Sequence, residues 1–235
     1  LGLAVSTIST TDMYVDGNIY NYAGSTFNYF SGYDLYIDGF FNNMDGTYQF
    51  HDGTVIFTGN PTTALKPTPG SYFNNITINT SAPLELLDEY HTSFYIHGDL
   101  NIIGGSFVPG ANGNFDVFVR GDWTNTVGTD GFVEDWSRVT FDGDLQYMQS
   151  DETFNLLEVD CDDRLLIGDH IVECAKYNWT SGGIDVSTGS FTALDLEDDG
   201  LFGGYSVGNG GEINLTNDGY VDLRGDVNVF GGTLN

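Results

Sequence analysis

The residues that could do chemistry in this chain are carboxylates, rings and two thiols, and most of them stand at fixed distances from a glycine. Just before a recurring glycine come Asp16, Asp38, His97, Arg120, Asp142 and Arg224, and just after it come Asp99, Asp122, Asp144 and Asp226. Aspartates repeated in register offer the oxygen-rich shell that Ca²⁺ takes. The same side chains also cap turns through their own backbone, so both readings stand. Asp195, Glu197 and Asp199 open like a calcium loop, with Ser206 where the bidentate glutamate belongs. Ca²⁺ is therefore a candidate ligand, and no cofactor is required.

Tyr14, Tyr36, Tyr95 and Phe118 fill one outward position of the same recurring phrase. Exposed rings in a column could lie against sugar faces, stack on one another, or hide beneath a neighbouring subunit. Cys161 and Cys174, 13 residues apart, form either a disulfide or a pair of buried thiols. The four histidines, His51, His91, His97 and His170, lack metal-ligand spacing, and no nucleophile elbow or phosphate loop occurs. Acids are too abundant for one catalytic pair to stand out, so no enzymatic activity is expected.

The element that must position these groups is the phrase apolar-x-apolar-x-Gly. It occurs at Met13 to Gly17, Leu35 to Gly39, Val55 to Gly59, Phe94 to Gly98, Val117 to Gly121, Val139 to Gly143 and Val221 to Gly225. Successive glycines lie 22 residues apart from Gly17 to Gly39, 20 to Gly59, 23 from Gly98 to Gly121, and 22 to Gly143. A fixed period of this size signals a solenoid, and the period of two within each phrase signals strands. The gap of 39 between Gly59 and Gly98 reads as two units. The expected fold is all-β, a single-stranded parallel β-helix with about 22 residues per coil, forming one domain over residues 1–235. Apolar alternate positions would stack inside. The glycine would serve where a side chain obstructs the corner or φ is positive. Four of the five prolines fall at 61, 67, 69 and 83, so residues 60–72 are expected to protrude as a loop.

Composition narrows the partners. With 34 acidic against six basic residues, a net charge of −28 repels phosphate backbones and anionic membranes, which argues against nucleic acid. No run of apolar residues is long enough to span a bilayer. The chain starts without Met and ends within a repeat-like phrase, so it is read as a segment of something longer.

The order of phrases from about residue 50 to 160 carries a resemblance. Val55-Ile56-Phe57-Thr58-Gly59, Phe73-Asn74-Asn75-Ile76-Thr77-Ile78, His97-Gly98-Asp99-Leu100-Asn101-Ile102 and Gly121-Asp122-Trp123-Thr124-Asn125 follow one another, and Val139 to Gly143 with Phe154 to Val159 repeats the first two. This succession resembles the repeats of large secreted surface proteins of Bacteroidota. The resemblance implies a β-helical stalk or adhesive region at the cell exterior, exported in many relatives by the type IX route. Its partners would be neighbouring repeats or further copies, and surface glycans. The alternative is a carbohydrate-binding or polysaccharide-cleaving β-helix with Tyr14, Tyr36, Tyr95 and Phe118 as its platform.

Overall fold

A computed structural model describes residues 4–7, 10–30, 32–59, 63–87, 93–109 and 115–194, together with short strands beyond 194. Every strand-to-strand pairing is parallel, and no helix occurs among the described residues, so none there could cross a membrane. The chain winds as a three-walled solenoid. Met13–Val15 begins the first wall, Ile19–Tyr22 the second and Thr26–Tyr29 the third, and Leu35–Ile37 then returns to the first. The fold expected from the period is the fold observed, with three short strands per lap.

Stacking is in register. On the first wall Val15 pairs with Ile37, Ile37 with Phe57, Phe57 with Ile78 and Ile78 with Ile102. On the third wall Ile96 pairs with Val119, Val119 with Phe141 and Phe141 with Val159. Residues from Leu35 through Phe141 in these columns are buried, whereas Met13 and Val15 are only partly covered. Val221 and the side chain of Leu223 lie outside the described residues. Alternation alone produces this outcome, because period two sends every second side chain into the lumen. Each fully buried Leu, Ile or Phe contributes about 1.5–3 kcal/mol, the main stabilising term of a solenoid that is nowhere wide.

The phrase does not mark one wall, however. Val55 to Gly59 lies on the first wall, where Val55 stacks on Ile76, and Ile76 on Leu100. Phe94 to Gly98 lies on the third, above Phe73 and next to Val117. The 39 residues between their glycines are thus less than two laps, and the motif changes wall on the way. What the motif marks is a corner. The backbone N–H of Phe40 donates to Asn18 Oδ1 at 2.9 Å, that of Asp99 to Asn75 Oδ1 at 2.8 Å, that of Asp122 to Asp99 Oδ1 at 2.8 Å and that of Tyr147 to Asp122 Oδ1 at 2.9 Å. Asn18, Asp99 and Asp122, each just after a glycine, and Asn75, just after Asn74, thereby tie their coils to the next. The oxygen occupies the space above the next glycine: a Cβ on Gly98 would collide with Asn75 Oδ1, and one on Gly121 with Asp99 Oδ1 and the Gly98 backbone. Crowding, not positive φ, selects glycine at these corners.

Two expectations are corrected. Residues 63–72 do not protrude: Thr63–Leu65 is a second-wall strand paired with Leu84 to Leu86, and Leu65 and Pro67 are buried, while residues 60–62 lie outside the described set. Proline is tolerated there because a short strand between corners leaves positions that make no ladder bond. Cys161 and Cys174 form no disulfide and are buried free thiols. Cys174 sits on the second wall between Phe154 and Ala193, whereas Cys161 lies past the third-wall strand with its S–H directed to Phe141 O at 3.5 Å. Burial first, then the neighbouring Asp160 and Asp142, pushes the Cys161 thiol up to about 12, so it stays protonated and unreactive.

The corner account makes a paired prediction. Gly121→Ala should cost about 1–3 kcal/mol by overpacking. Gly17→Ala, where a Cβ would meet nothing within 4 Å, should leave denaturant stability almost unchanged.

Candidate functional site

Tyr14 and Tyr36 stack with ring centroids 4.6 Å apart and planes 10° from parallel, and Tyr95 and Phe118 do so at 4.9 Å and 16°. The register that pairs them is the expected one. The two pairs occupy different walls, so they do not join into one ladder. Above Tyr36 the first-wall column continues as Ile56, Thr77, Asn101 and Thr124, and above Phe118 the third-wall column continues as Thr140 and Glu158. Within each pair the facing ring surfaces close on each other, which leaves edges and the outermost faces to solvent. Such stacking holds adjacent coils together.

A longer row runs beside Tyr95 on the third wall, and the sequence reading did not assemble it. Phe30 stacks on His51 at 3.9 Å, the Tyr72 hydroxyl shares a 2.7 Å hydrogen bond with His51 Nδ1, and Tyr72 stacks on His97 at 4.3 Å. The strand register places Arg120 and then Asp142 next in line, and Arg120 Nε donates to Asp142 Oδ2 at 3.2 Å. Desolvation lowers the pKa of His97, with Arg120 acting in the same direction, which favours neutral imidazole. Desolvation raises that of Asp142 against the opposing pull of Arg120, and Asp142 Oδ1 is buried with no hydrogen-bond partner. The sequence signal was present for half of the row: His97, Arg120 and Asp142 each precede a corner glycine. His51 and Tyr72 were missed because their strands belong to the other phrase.

Glu152 was also missed. It begins the strand Glu152–Asp160, at an inward position, two residues before the phrase recognised at Phe154. Only 6% exposed, it accepts from Trp123 Nε1 and Asn125 Nδ2 on one oxygen, both at 3.0 Å, and from the backbone N–H of Thr153 on the other at 3.2 Å. These bonds favour the carboxylate, yet burial outweighs them and lifts the group from the ordinary 4.5 to about 7.

Asp99 and Asp122, which follow corner glycines, use an oxygen on the next coil's backbone, as described above, whereas Asp144 after Gly143 is exposed. Among the described residues no group of three or more His, Cys, Asp or Glu side chains is placed to hold a metal ion. Asp195, Glu197 and Asp199 lie outside the described residues, as do Arg224 and Asp226. No protein-family model, curated protein or solved structure matches the chain.

Glu152 yields a pH prediction whose sign is fixed. The folded chain holds this proton more tightly than the unfolded chain, so its stabilising contribution is complete below pH 4.5 and is lost as pH rises through about 7. Denaturant titrations at stepped pH should show the parent chain losing on the order of 3 kcal/mol across that window relative to Glu152→Gln.

Proposed function

We propose that this chain is a non-enzymatic structural and adhesive segment of an extracellular bacterial surface or filament protein, acting as a rigid shaft between neighbouring repeats. The observation that carries the reading is the direction in which its polar groups are used. Carboxylates and amides that might have faced a ligand bind the adjacent coil instead, from Asn18 to Phe40, Asn75 to Asp99, Asp99 to Asp122 and Asp122 to Tyr147. Rings likewise close on rings of the next layer. An asparagine ladder does the same inside, where Asn21 Nδ2 donates to Asn43 Oδ1 and Asn43 Nδ2 to Lys66 O, both at 2.8 Å. Side chains committed to inter-coil contacts resist bending and local opening, which is what a spacer requires.

The resemblance to secreted surface repeats points the same way, and so does the charge of −28, which keeps long particles apart in solution. Lateral or end-on contacts with further repeats, and surface glycans, are the partners this role implies.

One observation favours a second reading, a polysaccharide-cleaving or polysaccharide-binding β-helix. His51, Tyr72, His97, Arg120 and Asp142 line one outward row with a neutral imidazole beside a fixed guanidinium. Incubation with neutral, amino and uronic acid polysaccharides, followed by chromatography for new chain ends, decides between them. The shaft reading expects no products from any polymer. Products that disappear in His97→Ala would establish the second reading and overturn the first.

A further inference from the structure

Beyond the stacked rows, the solenoid has a groove of about 350 Å³ on the outer side of the first wall, near its turn toward the second. That volume sits at the lower end of small-molecule sites. Tyr147, Leu166 and Asp185 occupy one outward column, paired through Tyr147 with Leu166 and Leu166 with Asp185. Gln149, Asp169 and His170 complete the lining that matters chemically.

Tyr147 differs from the rings described above. It is 43% exposed and, among the described residues, stacks on no other ring, so a face is open at the groove. Its backbone is fixed, because its N–H donates to Asp122 Oδ1 at 2.9 Å. The opposite oxygen of Asp122 accepts from Gln149 Nε2 at 2.9 Å, which orients the amide. His170 stands between Asp151 at 3.4 Å and Asp169 at 3.7 Å. Arg164 approaches Asp185 only at 3.6 Å, with its Nε held by Asp163 at 3.0 Å.

The groove therefore presents an open aromatic face, an aliphatic neighbour, an oriented amide and two carboxylates on its rim, with Asp122 and Asp151 immediately behind. A flat ring with axial C–H groups would stack on Tyr147, and donors around its edge would meet Asp169, Asp185 and Gln149. The acidic excess selects a ligand that carries positive charge, and the field of the whole chain raises the local concentration of such ligands. We propose that this groove binds amino sugars, the 2-amino-2-deoxyhexose units of a deacetylated oligosaccharide. The sugar's apolar face would lie on Tyr147 and its ammonium and hydroxyl groups on Asp185 and Asp169. This site does not depend on the shaft role and adds a recognition surface to it.

Isothermal titration with a deacetylated glucosamine oligosaccharide tests the proposal, with the N-acetylated oligomer and a galacturonate oligomer as comparisons. Saturable binding of the deacetylated oligomer is expected, weakened about tenfold or more in Tyr147→Ala and in Asp185→Asn but retained in Tyr147→Phe. The galacturonate oligomer should give no heat of binding. Absence of saturable binding overturns the proposal, as does binding unchanged in both Tyr147→Ala and Asp185→Asn, the signature of diffuse charge attraction. Equal affinity for the N-acetylated oligomer overturns the cationic ligand class. Failure here would leave the polysaccharide-cleavage result untouched, since that experiment reads new chain ends and this one reads heat.

Discussion

Everything in this molecule depends on one steric constraint: parallel coils stack so closely at the corners that an acid or amide of one coil fills the place where the next coil's corner residue would carry its Cβ. Strands in neighbouring layers lie about 4.8 Å apart, which leaves no room for a side chain between backbone corners. Glycine at positions 98 and 121 satisfies that limit, and Asn75 and Asp99 exploit it by accepting the N–H one layer on. A Gly-Asp pair is thus a steric and hydrogen-bonding unit split across two coils. Its recurrence needs no ligand to explain it.

The constraint also explains why so acidic a chain tolerates its charge. Carboxylates such as Asp99 and Asp122 accept backbone N–H groups of the next coil at 2.8 and 2.9 Å, attractive contacts that offset mutual repulsion. Two of the scarce cations bridge layers: Arg120 meets Asp142, and Arg138 lies between Asp116 at 3.8 Å and Glu158 at 3.3 Å. Glu152 is the exception, a carboxyl turned into the core, and its shifted titration is the cost of that position.

Strand type, parallel stacking and coil length were legible in the sequence because period two and a period near 22 survive in the residues themselves. Column mates such as Val15 with Ile37, Tyr14 with Tyr36 and Tyr95 with Phe118 followed directly. Wall assignment was not legible, because the phrase reports a corner and occurs both where the first wall turns to the second and where the third turns to the first. Val55 and Phe94 therefore looked equivalent although they face different sides of the coil. The same ambiguity hid the row from Phe30 to Asp142, whose members come from two unlike phrases, and it hid the groove at Tyr147, whose strand departs from the repeat. Proline at 67 and 69 misled for a related reason: a solenoid strand can be as short as the three residues Thr63–Leu65, and the prolines just past it sit where no ladder N–H is needed, without the chain leaving the coil.

The wall assignment is best tested by cysteine cross-linking at outward positions, since paired Cα atoms of adjacent layers fall within the roughly 4.4–6.8 Å that a disulfide spans. Thr77 pairs with Asn101 in the register described here, whereas a single wall carrying both glycine phrases would set Thr77 next to Tyr95. With the two native thiols buried, mild oxidation should close an intramolecular disulfide in Thr77→Cys/Asn101→Cys and leave Thr77→Cys/Tyr95→Cys reduced. Closure of the second pair and not the first would contradict the three-walled, corner-locked solenoid.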